Sequence, residues 1–320
     1  MFAPMRTEEL MGVLLFVGTV GAVYAVAGLL LCEAALQRVR GRVRILRPGL
    51  LWFRRIVFGL ALAGVFCIAY GRLIEPFWLE VTRVRLESPK LEGATRPIRI
   101  VHFSDLHSDP HPRLEERLPD VVAAEKPDLI VFTGDAINSR RGLPVARRCF
   151  TRLAAVAPTF VVKGNWDAVN WRGMDIFKGT GVRELNSEAV KLTVAGVDLW
   201  VAGIPYGGAA KIPQILEAIP PQDFTVFLSH VPGEIYQVAR HQADLYCAGH
   251  THGGQVALPF YGALITLSRF GKRFEAGLYR VEETRLYVNR GVGMEGGCAP
   301  RVRFFARPEL TVIDLVPPSE

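Results

Sequence analysis

Five short polar motifs punctuate the chain: Asp105-Leu106-His107, Gly134-Asp135, Gly164-Asn165-Trp166-Asp167, Ser229-His230 and Gly249-His250-Thr251-His252. Carboxylate, amide oxygen and imidazole together suit Mn²⁺, Fe or Zn²⁺, whereas an all-oxygen set would favour Mg²⁺ or Ca²⁺. Taken singly the motifs say little. A Gly-Asp pair is ordinarily a turn, and one His after an apolar run is ordinarily structural. As an ordered set they place seven metal-competent side chains, Asp105, His107, Asp135, Asn165, His230, His250 and His252, after successive apolar segments.

The segments that must position them read as alternating strands and helices. Ile98–Phe103 is a β-branched apolar run ending in Ser104-Asp105. Leu129–Phe132 ends in Thr133-Gly134-Asp135, and Phe160–Val162 ends in Gly164-Asn165. Helical spacing is expected over Arg113–Glu125 and Val145–Val156. Val190–Val194, Leu199–Ile204, Phe224–Leu228, Leu278–Val281 and Leu286–Val288 supply further strands, the last two close enough for an antiparallel hairpin. In an α/β sheet the ligand crevice lies beyond the carboxyl ends of the strands, so Asp105, Asp135 and Asn165 are expected to converge there. The glycines before Asp135, Asn165 and His250 permit tight turns and close backbone approach.

The motif series resembles the calcineurin-like metallophosphoesterase superfamily over about Ile98 to Leu315. The stretch Ala248-Gly249-His250-Thr251-His252-Gly253-Gly254-Gln255, and the tail from Asn289-Arg290-Gly291 through Arg307-Pro308-Glu309-Leu310, are similar to a bacterial membrane-anchored branch that includes UDP-2,3-diacylglucosamine pyrophosphatase-type enzymes. The resemblance implies a four-layer α/β/β/α sandwich and two divalent metal ions, Mn²⁺ first, with Fe or Zn²⁺ as alternatives. By the same resemblance Asp105, His107 and His252 bind one metal, Asn165, His230 and His250 the other, and Asp135 bridges both. A metal-bridging hydroxide then attacks phosphorus, and Asp135, Asn165 and His250 carry the catalytic role.

One position departs from the family pattern. Many members have His after the metal-binding Asn, and here it is Trp166. Indole only donates a hydrogen bond and has no useful pKa. A phosphoanhydride, whose leaving group is already a stable anion, needs a general acid least. Alternatively His102 or His111 donates the proton, or activity is reduced; retention of all seven ligands argues against its loss. Trp166, His111 and Arg140 are expected substrate contacts. The rest of the aromatic segment (Trp171, Met174, Phe177) is weighed between a lipid or nucleobase pocket and ordinary core packing. The glycine-rich Gly291–Gly297 stretch resembles a family loop and does not match a phosphate-binding P-loop.

Half of the 320 residues are apolar, unevenly distributed. Leu10 to Cys32 carries no charge over 23 residues, long enough to cross a bilayer core of about 30 Å. A second apolar run occupies 56–74, broken only by Arg72. The organisation expected is a membrane anchor over 1–75 with spans at about 10–32 and 56–74, a connector at 76–97 able to add an outer strand, and a phosphoesterase domain over 98–320. The net charge of +7 sits mostly in the anchor, where nine Arg face four Glu. Arg38, Arg40, Arg42, Arg44, Arg47, Arg54 and Arg55 lie between the spans with no acid among them. Such a loop stays in the cytoplasm and touches anionic lipid, which makes the bilayer the expected partner and excludes nucleic acid. The domain would then be extracytoplasmic at the inner membrane, and Arg54-Arg55 before an apolar run agrees with export. Cys149, Cys247 and Cys298 show no metal spacing and no disulfide framework.

The function expected is hydrolysis of a phosphate ester or anhydride at the membrane surface. The specific version is cleavage of UDP-2,3-diacylglucosamine to a lipid monophosphate and UMP, which would put the domain on the cytoplasmic face. The alternatives are an extracytoplasmic phosphodiesterase with another substrate, and a non-catalytic metal-dependent binding module.

Overall fold

A computed structural model describes residues 5–42, 46–297 and 300–318, so Arg44 and Cys298 lie outside the described residues. Two long helices come first, α1 (Thr7–Val39) and α2 (Pro48–Leu73). Both are long and apolar enough to cross a membrane. They pack antiparallel: the Tyr24 hydroxyl donates to Ala61 O, and Arg54 Nη2 donates to Leu30 O. The basic connection between them therefore lies at one end of the hairpin, and the rest of the chain at the other.

The remainder is a two-sheet sandwich built from β1 (Glu80–Glu87), β2 (Ile98–Phe103), β3 (Leu129–Phe132), β4 (Thr159–Val161), β5 (Arg183–Glu184), β6 (Glu188–Val194), β7 (Val197–Gly203), β8 (Phe224–Leu228), β9 (Leu245–Ala248), β10 (Ala257–Leu258), β11 (Gly262–Ala263), β12 (Gly277–Val281), β13 (Thr284–Val288) and β14 (Glu309–Val316). One sheet has the order β1-β14-β2-β3-β4-β5, the other β12-β13-β9-β8-β7-β6. Helices α3 (Leu118–Ala124) and α4 (Leu143–Ala154) cover the first sheet, and α6 (Ile212–Leu216) and α7 (Ile235–Arg240) the second; α5 (Asn165–Val169) follows β4. This is the α/β/β/α layering implied by the motif series.

Strands buried on both faces explain the continuous apolar runs. Ile98, Ile100, Leu129, Val131, Leu199, Val201, Val226 and Leu245 meet between the sheets. Phe103, Phe132, Phe150 and Phe177 stack beneath α4 on the outer face of the first. Parallel pairing of β2 with β3 and β3 with β4, and of β8 with β9, puts five motif-bearing strand ends on one rim.

Two details differ from the sequence expectation. The helix expected from Arg113 begins only at Leu118, because Pro119 lacks the N–H and would clash with an earlier turn. Strand β14, not anticipated, runs between β1 and β2, so residues 80–87 pair in parallel with it as an edge strand. Trp171, Met174 and Phe177 pack into the core as the bland reading held, while Trp166 does not.

The helix hairpin is fastened to the sandwich. Glu75, just past α2, is buried and accepts from Phe305 N at 3.0 Å and Ala306 N at 2.6 Å. Tyr70 meets Phe304 edge-on, and Arg303 N donates to Gly71 O. Glu75→Ala leaves the buried Ala306 amide, and the part-buried Phe305 amide, without an acceptor at a cost of about 2 kcal/mol. Thermal unfolding of the detergent-solubilised chain should fall by several degrees, and an unchanged Tm would show that this junction does not stabilise the fold.

Candidate active site

Each motif sits immediately after a strand. Asp105 and His107 follow β2, Asp135 follows β3, Asn165 opens α5 after β4, His230 follows β8, and His250 and His252 follow β9. Five of the seven residues turn in the left-handed region: Asp105 (φ 51°), His107 (43°), Asp135 (61°), His250 (73°) and His252 (52°). For a non-glycine residue this costs on the order of 1–3 kcal/mol each and persists only where the surroundings impose it. The surroundings are backbone bonds between neighbouring loops. Asp105 N donates to Gly134 O, His107 N to Asp135 O, and Gly249 N to His230 O. Two bonds cross between the sheets: His250 N donates to Asp105 Oδ2 at 3.0 Å, and His230 Nδ1 to Thr133 O at 2.7 Å.

The loops approach so closely that a Cβ at Gly249 would strike Ser104 Oγ and Asp105 Oδ2, and one at Gly164 would strike the Asp135 carboxylate. Asp167, which sequence reasoning quoted without a role, accepts from Asp135 N (2.8 Å), Ala136 N (3.0 Å) and Gly164 N (3.0 Å), and so holds the β3 and β4 loops together. Burial and neighbouring Asp135 push its carboxyl up to about 7. The Gly291–Gly297 stretch lies against the same loops: Val292 N donates to Ser104 O and Gly293 N to Asp105 O. Arg303 was also missed. It is fully buried and donates to the carbonyls of Arg290, Gly291, Gly293 and Ala306, with Nη2 3.4 Å from His252 Nδ1. An arginine inside a run of tail residues carries no sequence mark of burial.

The side chains converge. His252 Nε2 lies 3.4 Å from Asp105 Oδ1, and His107 Nε2 4.0 Å from the same oxygen. Asp135 Oδ2 lies 3.7 Å from His107 Nε2 and 3.2 Å from His230 Nε2. His250 Nδ1 lies 3.2 Å from His230 Nε2. Asp105, His107 and His252 form one group able to hold a cation, and Asp105, Asp135 and His230 a second. Buried atoms without any partner include Asp105 Oδ1, both nitrogens of His107, and Asn165 Oδ1. Buried polar atoms are rarely left unpaired, and these point to a cation as their partner. The imidazoles agree. His230 gives its Nδ1 proton to Thr133 O, and His250 faces Leu267 O through Nε2 at 3.2 Å. The two nitrogens that face each other are then both lone-pair donors, the tautomers a metal requires. The residues fit a pair of divalent cations with mixed nitrogen and oxygen donors.

Electrostatics in the metal-free cluster follow from burial. It pushes Asp105 up to about 6 and pulls His107 and His250 down to about 4, with His252 well below its ordinary value. His230 is the exception: burial opposes its charge, but Asp135 and then Asp105 raise it to about 9. Burial likewise works against ionised Asp135, yet His230 holds that carboxyl below its usual value.

Of the expected substrate contacts, Trp166 reaches the site. Trp166 N donates to Asp135 Oδ1 at 2.8 Å, its ring meets His107 edge-on, and Nε1 donates to Glu295 Oε1 at 3.3 Å. His111 and Arg140 are exposed and do not line the cavity beside the cluster. His102 is fully buried, paired through Nε2 with Thr133 Oγ1, and pushed by burial down to about 3, which removes it as a proton donor.

Two measurements test this geometry. A proton on His230 must leave before a cation can use Nε2, so apparent Mn²⁺ affinity should rise with pH up to about 9, by at most about tenfold per unit per proton displaced. Calorimetric titration at several pH values checks it, and a flat profile would remove His230 from the cation site. Gly249→Ala should cost at least about tenfold in Mn²⁺ affinity, because Asp105 must shift to admit the methyl group.

The Calcineurin-like phosphoesterase family matches residues 98–254. Metallophosphoesterase YkuE of Bacillus subtilis (strain 168) is 31% identical over 289 residues, covering 82% of this chain and 96% of that protein. Phosphodiesterase YaeI of Escherichia coli (strain K12) is 31% identical over 259 residues, covering 77% and 92%. UDP-2,3-diacylglucosamine pyrophosphatase LpxG of Chlamydia trachomatis is 26% identical over 312 residues, covering 78% and 93%. The matched stretch opens at the first residue of β2 and closes just beyond His252, so it encloses all seven candidate side chains, and the chain is a phosphoesterase belonging to the calcineurin-like family.

Proposed function

We propose that the chain is a membrane-anchored phosphohydrolase that works with two divalent cations, Mn²⁺ first among them, and cleaves a phosphoester or phosphoanhydride. The observation that carries this is the pair of overlapping donor groups, joined at Asp105, whose buried atoms lack other partners. Asp105, His107 and His252 are assigned to one cation, Asn165, His230 and His250 to the other, and Asp135, within 3.7 Å of imidazoles from both sets, to the bridge. Bound cations supply Lewis acidity toward a phosphoryl oxygen and lower the pKa of water to the neutral range.

The chain supplies the rest. The Asp167 carboxylate and the left-handed turns hold the donors before substrate arrives, so orientation is set in advance. Trp166 offers bulk and an N–H but no proton. Glu295 is the only titratable residue lining the cavity outside the cluster, among the described residues, and burial raises its carboxyl. It is assigned as the group that protonates a poor leaving group. Glu295→Gln should lower kcat for an alkyl phosphodiester by about 10²-fold and barely affect a p-nitrophenyl leaving group. Equal losses on both would assign Glu295 a structural role.

The arginine-rich connection at the far end of the hairpin supports an extracytoplasmic domain. Likeness to LpxG supports UDP-2,3-diacylglucosamine as the specific substrate, and the arginines oppose it. Purified protein with Mn²⁺ should hydrolyse bis-p-nitrophenyl phosphate, and Asp135→Ala should lower the rate at least about 100-fold. Activity that survives the substitution would overturn the two-cation reading. UMP release from the UDP-lipid decides the specific substrate, and a carboxyl-terminal reporter fusion decides the face.

A further inference from the structure

A cavity of about 670 Å³ opens directly off the cation cluster, with His250, His252 and Trp166 at its inner end. Its opposite wall is the start of the first apolar helix: Val13, Phe16 and Val17 of α1 line it, with Met5 just before the helix. The volume lies within the range of ligand pockets, and the outer lining is apolar, with Val256, Leu264, Ile265 and Leu267 facing α1.

The helix is held in that position. Glu9, buried despite its charge, accepts from Thr266 N at 2.9 Å and Thr266 Oγ1 at 2.6 Å. The next residue in the same segment, Leu267, meets His250 through its carbonyl. At 33 residues α1 is about 50 Å long, some 20 Å more than a bilayer core needs, so its first turns can pack on the sandwich while the rest spans. Leu10, Met11, Leu14 and Leu15 are exposed on the same turns, and at the tip between β10 and β11 Phe260 is fully exposed beside Tyr261, whose hydroxyl lies close to Gly12. Exposed aromatics beside an apolar helix are the signature of a surface that dips into the interface. The outer end of the cavity is therefore level with the apolar layer, and its inner end with the donors of the cluster.

We infer that this cavity is the site for the apolar chain of a phosphorylated lipid, drawn sideways from the bilayer along α1 so that its phosphate meets the cation cluster. The occupant follows from three features: apolar walls, one of them a membrane helix; continuity with the phosphate-binding end; and an outer end at bilayer level. The inference rests on the phosphohydrolase reading for the headgroup and on the cavity alone for the chain. Each buried methylene should strengthen binding roughly fourfold.

The test is photolabelling of the full chain in nanodiscs with dodecyl phosphate carrying a diazirine at the chain end. Label should concentrate on residues 5–17 and 255–267. Dodecyl phosphate should displace it, and butyl phosphate and dodecanol should not. Val13→Trp, which fills the cavity, should lose the label, whereas Leu29→Trp on the exposed face of α1 should keep it. Label spread equally over exposed positions of α2, or displacement by dodecanol as effective as by dodecyl phosphate, overturns the inference. Because labelling needs no turnover, the two readings fail separately. Focused label without phosphodiester hydrolysis under any metal would remove the hydrolase and leave the chain site, and hydrolysis with diffuse label would do the reverse.

Discussion

Burying carboxylates and neutral imidazoles together without charge compensation is the constraint around which this molecule is organised. Asp105, Asp135 and four histidines meet at the rim of two sheets, all of them but His250 buried. An isolated buried charge is very costly, and an unpaired buried donor or acceptor costs about 1–3 kcal/mol. Without a metal the cluster compensates by shifting protons: Asp105 weakens as an acid, three histidines stay neutral, and His230 takes up the charge beside Asp135. Two cations would replace that arrangement with one satisfying the orphaned atoms as well.

Holding the donors in place falls to the loops. Left-handed turns at Asp105, His107, Asp135, His250 and His252 are strained individually and are over-determined by bonds between loops of different strands. Asp167 ties two of those loops, and Arg303 ties the carboxyl-terminal loop that lies on Asp105. The sandwich core beneath is ordinary. Its contribution is to bring parallel strand ends to one edge at a spacing set by backbone hydrogen bonding.

The two apolar helices are part of the same construction. Glu75 at the end of α2 caps the segment that carries Arg303, and Glu9 at the start of α1 caps the segment that faces His250. Two buried carboxylates thus couple the helix hairpin to residues that touch the cluster. Trp166, in place of the family's usual His, gives the cavity an apolar flank and hands its N–H to Glu295. Substituting an aromatic for a proton donor makes chemical sense where the site meets an apolar wall.

The clustered polar side chains, the α/β layering and the apolar helices were all legible in the residues, because strand ends are marked by a change from β-branched runs to short polar motifs. Those signals are local: periodicity and turn chemistry act over a few residues and survive in any context. Glu9, Glu75, Arg303 and Glu295 carry no such mark, since a charged residue is exposed by default and only long-range packing buries it. The place of β14 between β1 and β2 likewise depends on partners far along the chain. Above all, the closeness of α1 to the cation cluster belongs to the tertiary structure alone, because the apolar pattern that specifies a membrane helix is the same whether one of its faces meets lipid or a cavity.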